Sequence, residues 1–221
     1  MTGGTVDAAE VARRAEQLRR RVEDASGGRA VEIVAVTKGF GADAVIAAIG
    51  CGFTAVGENY AQELLAKVEQ TPTELHPQWH FLGRLQRNKV RSLAAVVDVW
   101  QSVDRVELID EIARRAPGAR VFIQANLSGE PQKGGAPIGS VAALVDHARV
   151  LGLLVEGLMG VGPEGPPEGS RSGFRELVAL ADDLGVHHRS IGMTEDLEVA
   201  LQEGSTMVRV GSALFGPRPP R

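Results

Sequence analysis

Eight short apolar runs rich in Val, Ile and Phe recur along the chain, with helix-patterned segments between them. The runs are Val31 to Val36, Phe53 to Val56, Trp79 to Leu82, Val96 to Trp100, Val121 to Asn126, Leu153 to Met159, Val186 to Ile191 and Met207 to Val210. Strands that alternate with helices pair in parallel, and eight such units predict an α/β fold, a closed (β/α)8 TIM barrel rather than an open sheet. Only a vestigial helix follows the eighth run, at Ser212 to Phe215. The missing outer helix is therefore expected at the N-terminus, Val6 to Ala25, where Val11, Ala15, Leu18 and Val22 form an apolar stripe at helical spacing. Its Arg13, Arg14, Arg19, Arg20 and Arg21 are interleaved with acidic residues and read as a solvated face.

No shift in composition marks a boundary, so one barrel domain is expected over residues 1–221. The formal charge of −4 gives no polyanion-seeking surface, which argues against nucleic acid. The single Cys51 leaves no intramolecular disulfide and fits a reducing compartment. No apolar stretch reaches membrane-spanning length and no signal-peptide core opens the chain, so the expectation is a soluble cytoplasmic protein with no membrane partner. Asp104, with Glu107 three residues on, reads as a capping-box-like helix start. Two irregular stretches, Ser128 to Gly139 and Gly160 to Gly173, read as long mobile loops over the C-terminal mouth of the barrel, where such folds place their sites.

Lys38 follows the first run and precedes Gly39. Of 24 cationic side chains only four are Lys, so where a generic charge was enough this sequence has mostly used Arg. Burial can depress a Lys pKa until the neutral amine attacks a carbonyl, whereas a guanidinium stays charged. Lys38 is thus a Schiff-base candidate; the plainer reading is a strand-end Lys that snorkels to solvent. In barrels of this kind the loops after strands seven and eight commonly bind a phosphate through backbone amides and a helix start. Gly192-Met193-Thr194 and Gly211-Ser212-Ala213 stand at those two places, with Thr194 expected to cap the helix that follows it. Arg209 lies two residues before Gly211, on the same side of the strand. Inside a barrel it needs a partner, either an acceptor on a ligand or a buried carboxylate such as Glu58. His187-His188, read as strand neighbours, point to opposite faces and cannot chelate one ion together. Arg84, Arg87, Lys89 and Arg91 read as a solvated face or docking surface on the helix after strand three.

Five ordered motifs carry a resemblance: Ala-Val-Thr-Lys38-Gly, Gly57-Glu58-Asn59-Tyr60, Trp79-His80-Phe81-Leu82-Gly83-Arg-Leu-Gln86-Arg-Asn88-Lys89, Gly192-Met193-Thr194, and Met207-Val208-Arg209-Val210-Gly211-Ser212-Ala213-Leu214-Phe215-Gly216. From about residue 6 to Gly216 the chain resembles the pyridoxal phosphate homeostasis protein family, which is similar to the N-terminal barrel of alanine racemase. The resemblance implies pyridoxal 5′-phosphate (PLP) held as an aldimine on Lys38, with Asn59 beside the ring or its linkage. It gives the phosphate to Met193, Thr194, Gly211 and Ser212, and sets Arg209 against the pyridine nitrogen. The loop Asn126-Leu-Ser128-Gly-Glu130-Pro-Gln-Lys133-Gly-Gly departs from the commoner pattern by an added Pro131, expected to alter its closing motion.

An Arg donates a hydrogen bond to a neutral ring nitrogen without protonating it, so the electron sink for carbanion chemistry is weak. Racemases of this group also use a Tyr from an added β domain, whereas this sequence stops at Arg221, and its sole Tyr60 is expected to pack or hold a helix start. The expectation is a non-catalytic PLP-binding protein that holds and delivers PLP to PLP-dependent apoenzymes, as a monomer lacking the racemase-type dimer interface. An amino-acid racemase, a Schiff-base aldolase acting on a phosphorylated sugar, and a regulator docking through the Arg87 and Lys89 face remain as alternatives.

Overall fold

The computed structural model describes residues 5–130 and 133–218, so Pro131 and the terminal Arg221 lie outside the described residues. Eight parallel strands close into a barrel in sequence order, β1 to β8, with β8 returning to β1. They are β1 Glu32–Val36, β2 Ala55–Glu58, β3 Gln78–Phe81, β4 Val99–Val103, β5 Arg120–Asn126, β6 Leu154–Val161, β7 His188–Ser190 and β8 Met207–Val210. The helices are α1 Ala8–Ser26, α2 Ala42–Gly50, α3 Ala61–Gln70, α4 Arg87–Leu93, α5 Val106–Arg115, α6 Val141–Val150, α7 Arg171–Asp183, α8 Leu197–Gln202 and α9 Ser212–Phe215. Each strand is thus an expected one, and the alternation of strand and helix is the expected (β/α)8 pattern.

Helix α1 supplies the outer layer that α9 is too short to provide. Asp7 accepts from Ala9 N at 2.9 Å at its start, and Gly27 at φ +64° ends it in the left-handed conformation open to glycine. Val11, Ala15, Leu18 and Val22 are all buried, packed with residues of α2, α8 and α9. At about 1.5–3 kcal/mol for each large apolar side chain removed from water, this stripe fixes the helix across the β1–β8 seam.

Along each strand alternate residues face the helices or the barrel axis. Val34, Ala55, Val99, Phe122, Met159 and Met207 form the apolar interior. His80, Gln101, Ser190 and Arg209 share that interior and are buried. Among the described residues no helix is long and apolar enough to cross a membrane.

Three expected boundaries shift for one reason: apolar residues mark burial, which helix ends need as much as strands do. Val96 and Val97 donate to Leu93 O at 3.0 and 2.9 Å and close α4, so β4 begins at Val99. Phe53 N closes α2 on Ala48 O, and Val186 N closes α7 on Ala181 O. The expected capping box at Asp104 does not form: the N-cap of α5 is Arg105, and Asp104 instead accepts from Gly135 N at 3.2 Å. Both mouth loops are tied down by local structure. Ala136 bridges to Ala125, short 3-10 turns occupy Ile138–Ser140 and Pro167–Ser170, and Lys133 donates to Gly162 O at 3.1 Å across the gap between the loops.

Candidate functional site

Lys38 sits two residues past the end of β1, in a turn closed by Phe40 N to Thr37 O at 3.0 Å, with Gly39 at φ +83°. A side chain at position 39 would strain this turn, which is why glycine follows the lysine. Helix α3 grips the turn from outside. Glu63 and Lys67, one helical turn apart on the same face, reach opposite sides of Lys38: Gly39 N donates to Glu63 Oε2 at 2.9 Å, and Lys67 Nζ donates to Thr37 O at 2.7 Å. Thr37 Oγ1 donates to Glu58 Oε1 at 2.6 Å, and Lys67 also pairs with Glu58. Lys67 and Glu58 are both buried, so this amine is consumed in holding the backbone.

The Lys38 amine has a different environment. Half-buried, it has its pKa pulled below the usual lysine value, first by burial and then by the cationic Arg218 and Arg209, with Glu58 and Glu63 opposing. Desolvation and like charge both favour the neutral amine, the form that attacks a carbonyl.

Arg209 enters the mouth from β8. Its Nη1 donates to Ser190 O at 2.5 Å and to Ser190 Oγ at 2.7 Å, and its Nη2 donates to Gly160 O at 2.8 Å. Burial lowers its pKa to about 10, so it is still a cation at neutral pH. The expected carboxylate partner Glu58 is elsewhere, committed to Lys67 and Thr37. Strand alternation fixes that Arg209 faces inward, but not which of the other strands it meets; it meets one carbonyl of β6, at Gly160, and the carbonyl and hydroxyl of Ser190 on β7.

Thr194 does not cap α8, whose N-cap is Asp196. Asp196 accepts from Met193 N at 2.7 Å and holds the preceding turn, and the Thr194 hydroxyl turns instead toward α9. It accepts from Ala213 N at 3.3 Å and from Ser212 Oγ at 3.2 Å, binding the loops after β7 and β8 together. The Ser212 amide is first in α9, where the helix itself offers it no acceptor. Gly211 permits the close approach of this loop to β1, since a Cβ there would lie 3.2 Å from Val36 O.

All seven residues singled out, Lys38, Asn59, Met193, Thr194, Arg209, Gly211 and Ser212, line one cavity of about 650 Å³ at the C-terminal mouth. The donor set suits a flat aldehyde bearing an anionic tail: an amine after β1, a guanidinium on β8, and hydroxyls and an amide on the adjoining loops after β7 and β8. Lys133, Arg218 and Glu195 line it too; Lys133 stood in a quoted motif, but nothing in the pattern around Arg218 marked it. The α3 grip was also missed, although a lysine in a chain that prefers arginine was a usable signal for Lys67. Tyr60 is half-exposed at the N-cap of α3 and is outside the cavity lining. Arg84, Arg87 and Arg91 are exposed and also apart from the cavity. The His187 and His188 rings do not point to opposite faces: they meet edge-on with centroids 4.8 Å apart, because His187 precedes β7 and escapes strand alternation.

The family described as alanine racemase, N-terminal domain, matches residues 6–219. The pyridoxal phosphate homeostasis protein of Aquifex aeolicus is 37% identical over 216 residues, 92% of this chain and 94% of that one. A crystal structure of an unknown protein from Bifidobacterium adolescentis superposes with a TM-score of 0.87 at 30% identity, covering 96% of this chain and 99% of that one. PipY of Synechococcus elongatus PCC7942, solved with PLP bound, gives 0.83 at 29% identity, over 93% of this chain and all of PipY. With motifs, barrel and mouth in agreement across nearly its whole length, the chain belongs to the alanine racemase N-terminal domain family and, within it, to the pyridoxal phosphate homeostasis proteins.

Proposed function

We propose that this protein, as a single barrel domain, binds PLP covalently at Lys38 and holds it for delivery to other proteins, without turning over an amino acid. When bound, PLP supplies an aldehyde that condenses reversibly with primary amines. Lys38 is the Schiff-base lysine, its neutral amine favoured by burial and by Arg209 and Arg218. The Thr194 and Ser212 hydroxyls and the Ser212 amide hold the phosphate, and Asn59 lies beside the ring. Arg209 donates to the ring nitrogen and, staying cationic, yields it no proton, which weakens electron withdrawal from a substrate carbon. The observation that carries the reading is the convergence on one cavity of the depressed amine, the anchored guanidinium and the paired hydroxyls. PLP bound by PipY, and the name of the Aquifex relative, support the cofactor and the homeostatic role.

Borohydride reduction of the PLP-loaded protein followed by peptide mapping tests the site. The label is expected on Lys38, and Lys38→Ala is expected to lose the yellow chromophore. A label on Lys67, Lys89 or Lys133 would overturn the assignment. Sustained exchange of an amino-acid α-proton into deuterated solvent would replace the carrier reading with an enzyme.

A further inference from the structure

Below the mouth the barrel interior contains a continuous line of polar side chains that binding the cofactor does not itself require. Arg209 on β8, Ser190 on β7, Gln101 on β4, and His80 and Gln78 on β3 are linked side chain to side chain. Arg209 is buried, and Ser190, Gln101 and His80 are wholly so. The direction of every bond follows from its head. A guanidinium only donates, so Ser190 Oγ accepts from Arg209 Nη1 at 2.7 Å and sends its single hydrogen to Gln101 Oε1, 2.7 Å away. That places the Gln101 amino group toward His80 Nδ1 at 2.6 Å and Met207 Sδ at 3.1 Å. His80 Nδ1 must then accept, leaving the ring hydrogen on Nε2, which donates to Gln78 Oε1 at 2.9 Å. Turning the Gln101 amide over would set two donors against Ser190 and leave its hydrogen without an acceptor in a dry interior.

We infer that Gln101 is a positioning residue for the PLP site, fixing Arg209 through Ser190 as a donor-only wall of the cavity, with the Nε2–H tautomer of His80 locking the Gln101 amide from behind. Since every member donates away from the mouth, the line hands no proton up to Arg209, and the guanidinium cannot turn without breaking the Ser190 contact. The role in ligand binding rests on the PLP reading; the polarity of the line does not.

The two are tested apart. Long-range 1H–15N spectra of the imidazole rings in the cofactor-free protein read His80 directly, and one neutral Nε2–H tautomer at neutral pH is expected. An Nδ1–H tautomer or a protonated ring would overturn the inference whether or not PLP binds. In the second arm Gln101→Leu and Ser190→Ala are titrated with PLP. Each is expected to weaken binding about tenfold, the cost of one misplaced buried hydrogen bond, and to shift the visible band while borohydride still labels Lys38. Gln101→Glu, which still accepts from Ser190 but requires His80 to present an Nδ1–H to its second oxygen, is expected to recover most of the affinity while switching the His80 tautomer. Wild-type affinity and spectrum in both interrupted variants would overturn the positioning role, whereas failure of the wild-type protein to bind PLP would remove the cofactor reading and leave the tautomer result standing.

Discussion

Two lysines lie near the same turn, and burial alone does not decide what each does. Lys67 is the more buried, yet its Nζ is spent on Thr37 O and on Glu58, while the half-buried Lys38 faces the cavity among cations. A buried ion pair contributes little net stability over an apolar pair, but removing one member strands the other charge in the interior. Lys67→Met is therefore expected to destabilise the protein by about 3–5 kcal/mol, and Glu58→Gln added to it to recover most of that loss. Urea denaturation of the two single variants and the double variant checks this; losses that simply add would show that the pair is not coupled. The variant is also expected to loosen the Lys38 turn, since Thr37 O loses its donor. Lys38, Arg209 and the two hydroxyl turns could be read from the sequence because each sits at a fixed offset from a strand end. Glu63 and Lys67 could not: helical spacing shows that they share a face of α3, not that the face meets a turn 24 to 30 residues earlier. Arg209 shows the same limit, as alternation gave its inward direction and its partner depended on how the barrel closes.

Among the elements, α1 connects fold and site. It packs on α8 and α9, and α9 presents Ser212 to Thr194 at the mouth. Leu18 is 1% exposed at the centre of the stripe. Leu18→Ala is expected to cost about 2–5 kcal/mol by leaving a cavity against α8, and to weaken PLP binding because the start of α9 loses support. Thermal unfolding and PLP titration of this variant provide the measurement, and a loss below about 1 kcal/mol would mean that α1 is a loosely held cover. The stripe was legible because helical periodicity is local. Strand edges were less so, since Val96, Val97 and Phe53 owe their burial to helix ends rather than to the sheet.

Across the whole molecule the barrel has an apolar interior tier and a polar line running through it, and the polar line makes stability depend on acidity. His80 is wholly buried, and its pKa is lowered to about 3, first by burial and then by the nearby charges of Arg120 and His188. In the unfolded chain a solvated histidine ring titrates at about 6.5. Between those values the unfolded chain binds a proton that the folded barrel refuses, so stability is full above about pH 6.5 and falls as the pH drops toward 3. The slope reaches about 1.4 kcal/mol per pH unit, which makes the His80 share of the loss from pH 7 to pH 5 about 2 kcal/mol. His80→Gln supplies an amide that can accept from Gln101 and donate to Gln78 without titrating. Comparing urea midpoints at the two pH values, the wild-type protein is expected to lose about 2 kcal/mol more than the variant, with His188 and the other titrating groups common to both. Equal losses would mean that His80 already carries its proton in the folded state. A protonated ring would have to donate from Nδ1, which would turn the Gln101 amide and take away the acceptor that holds the Ser190 hydroxyl under Arg209.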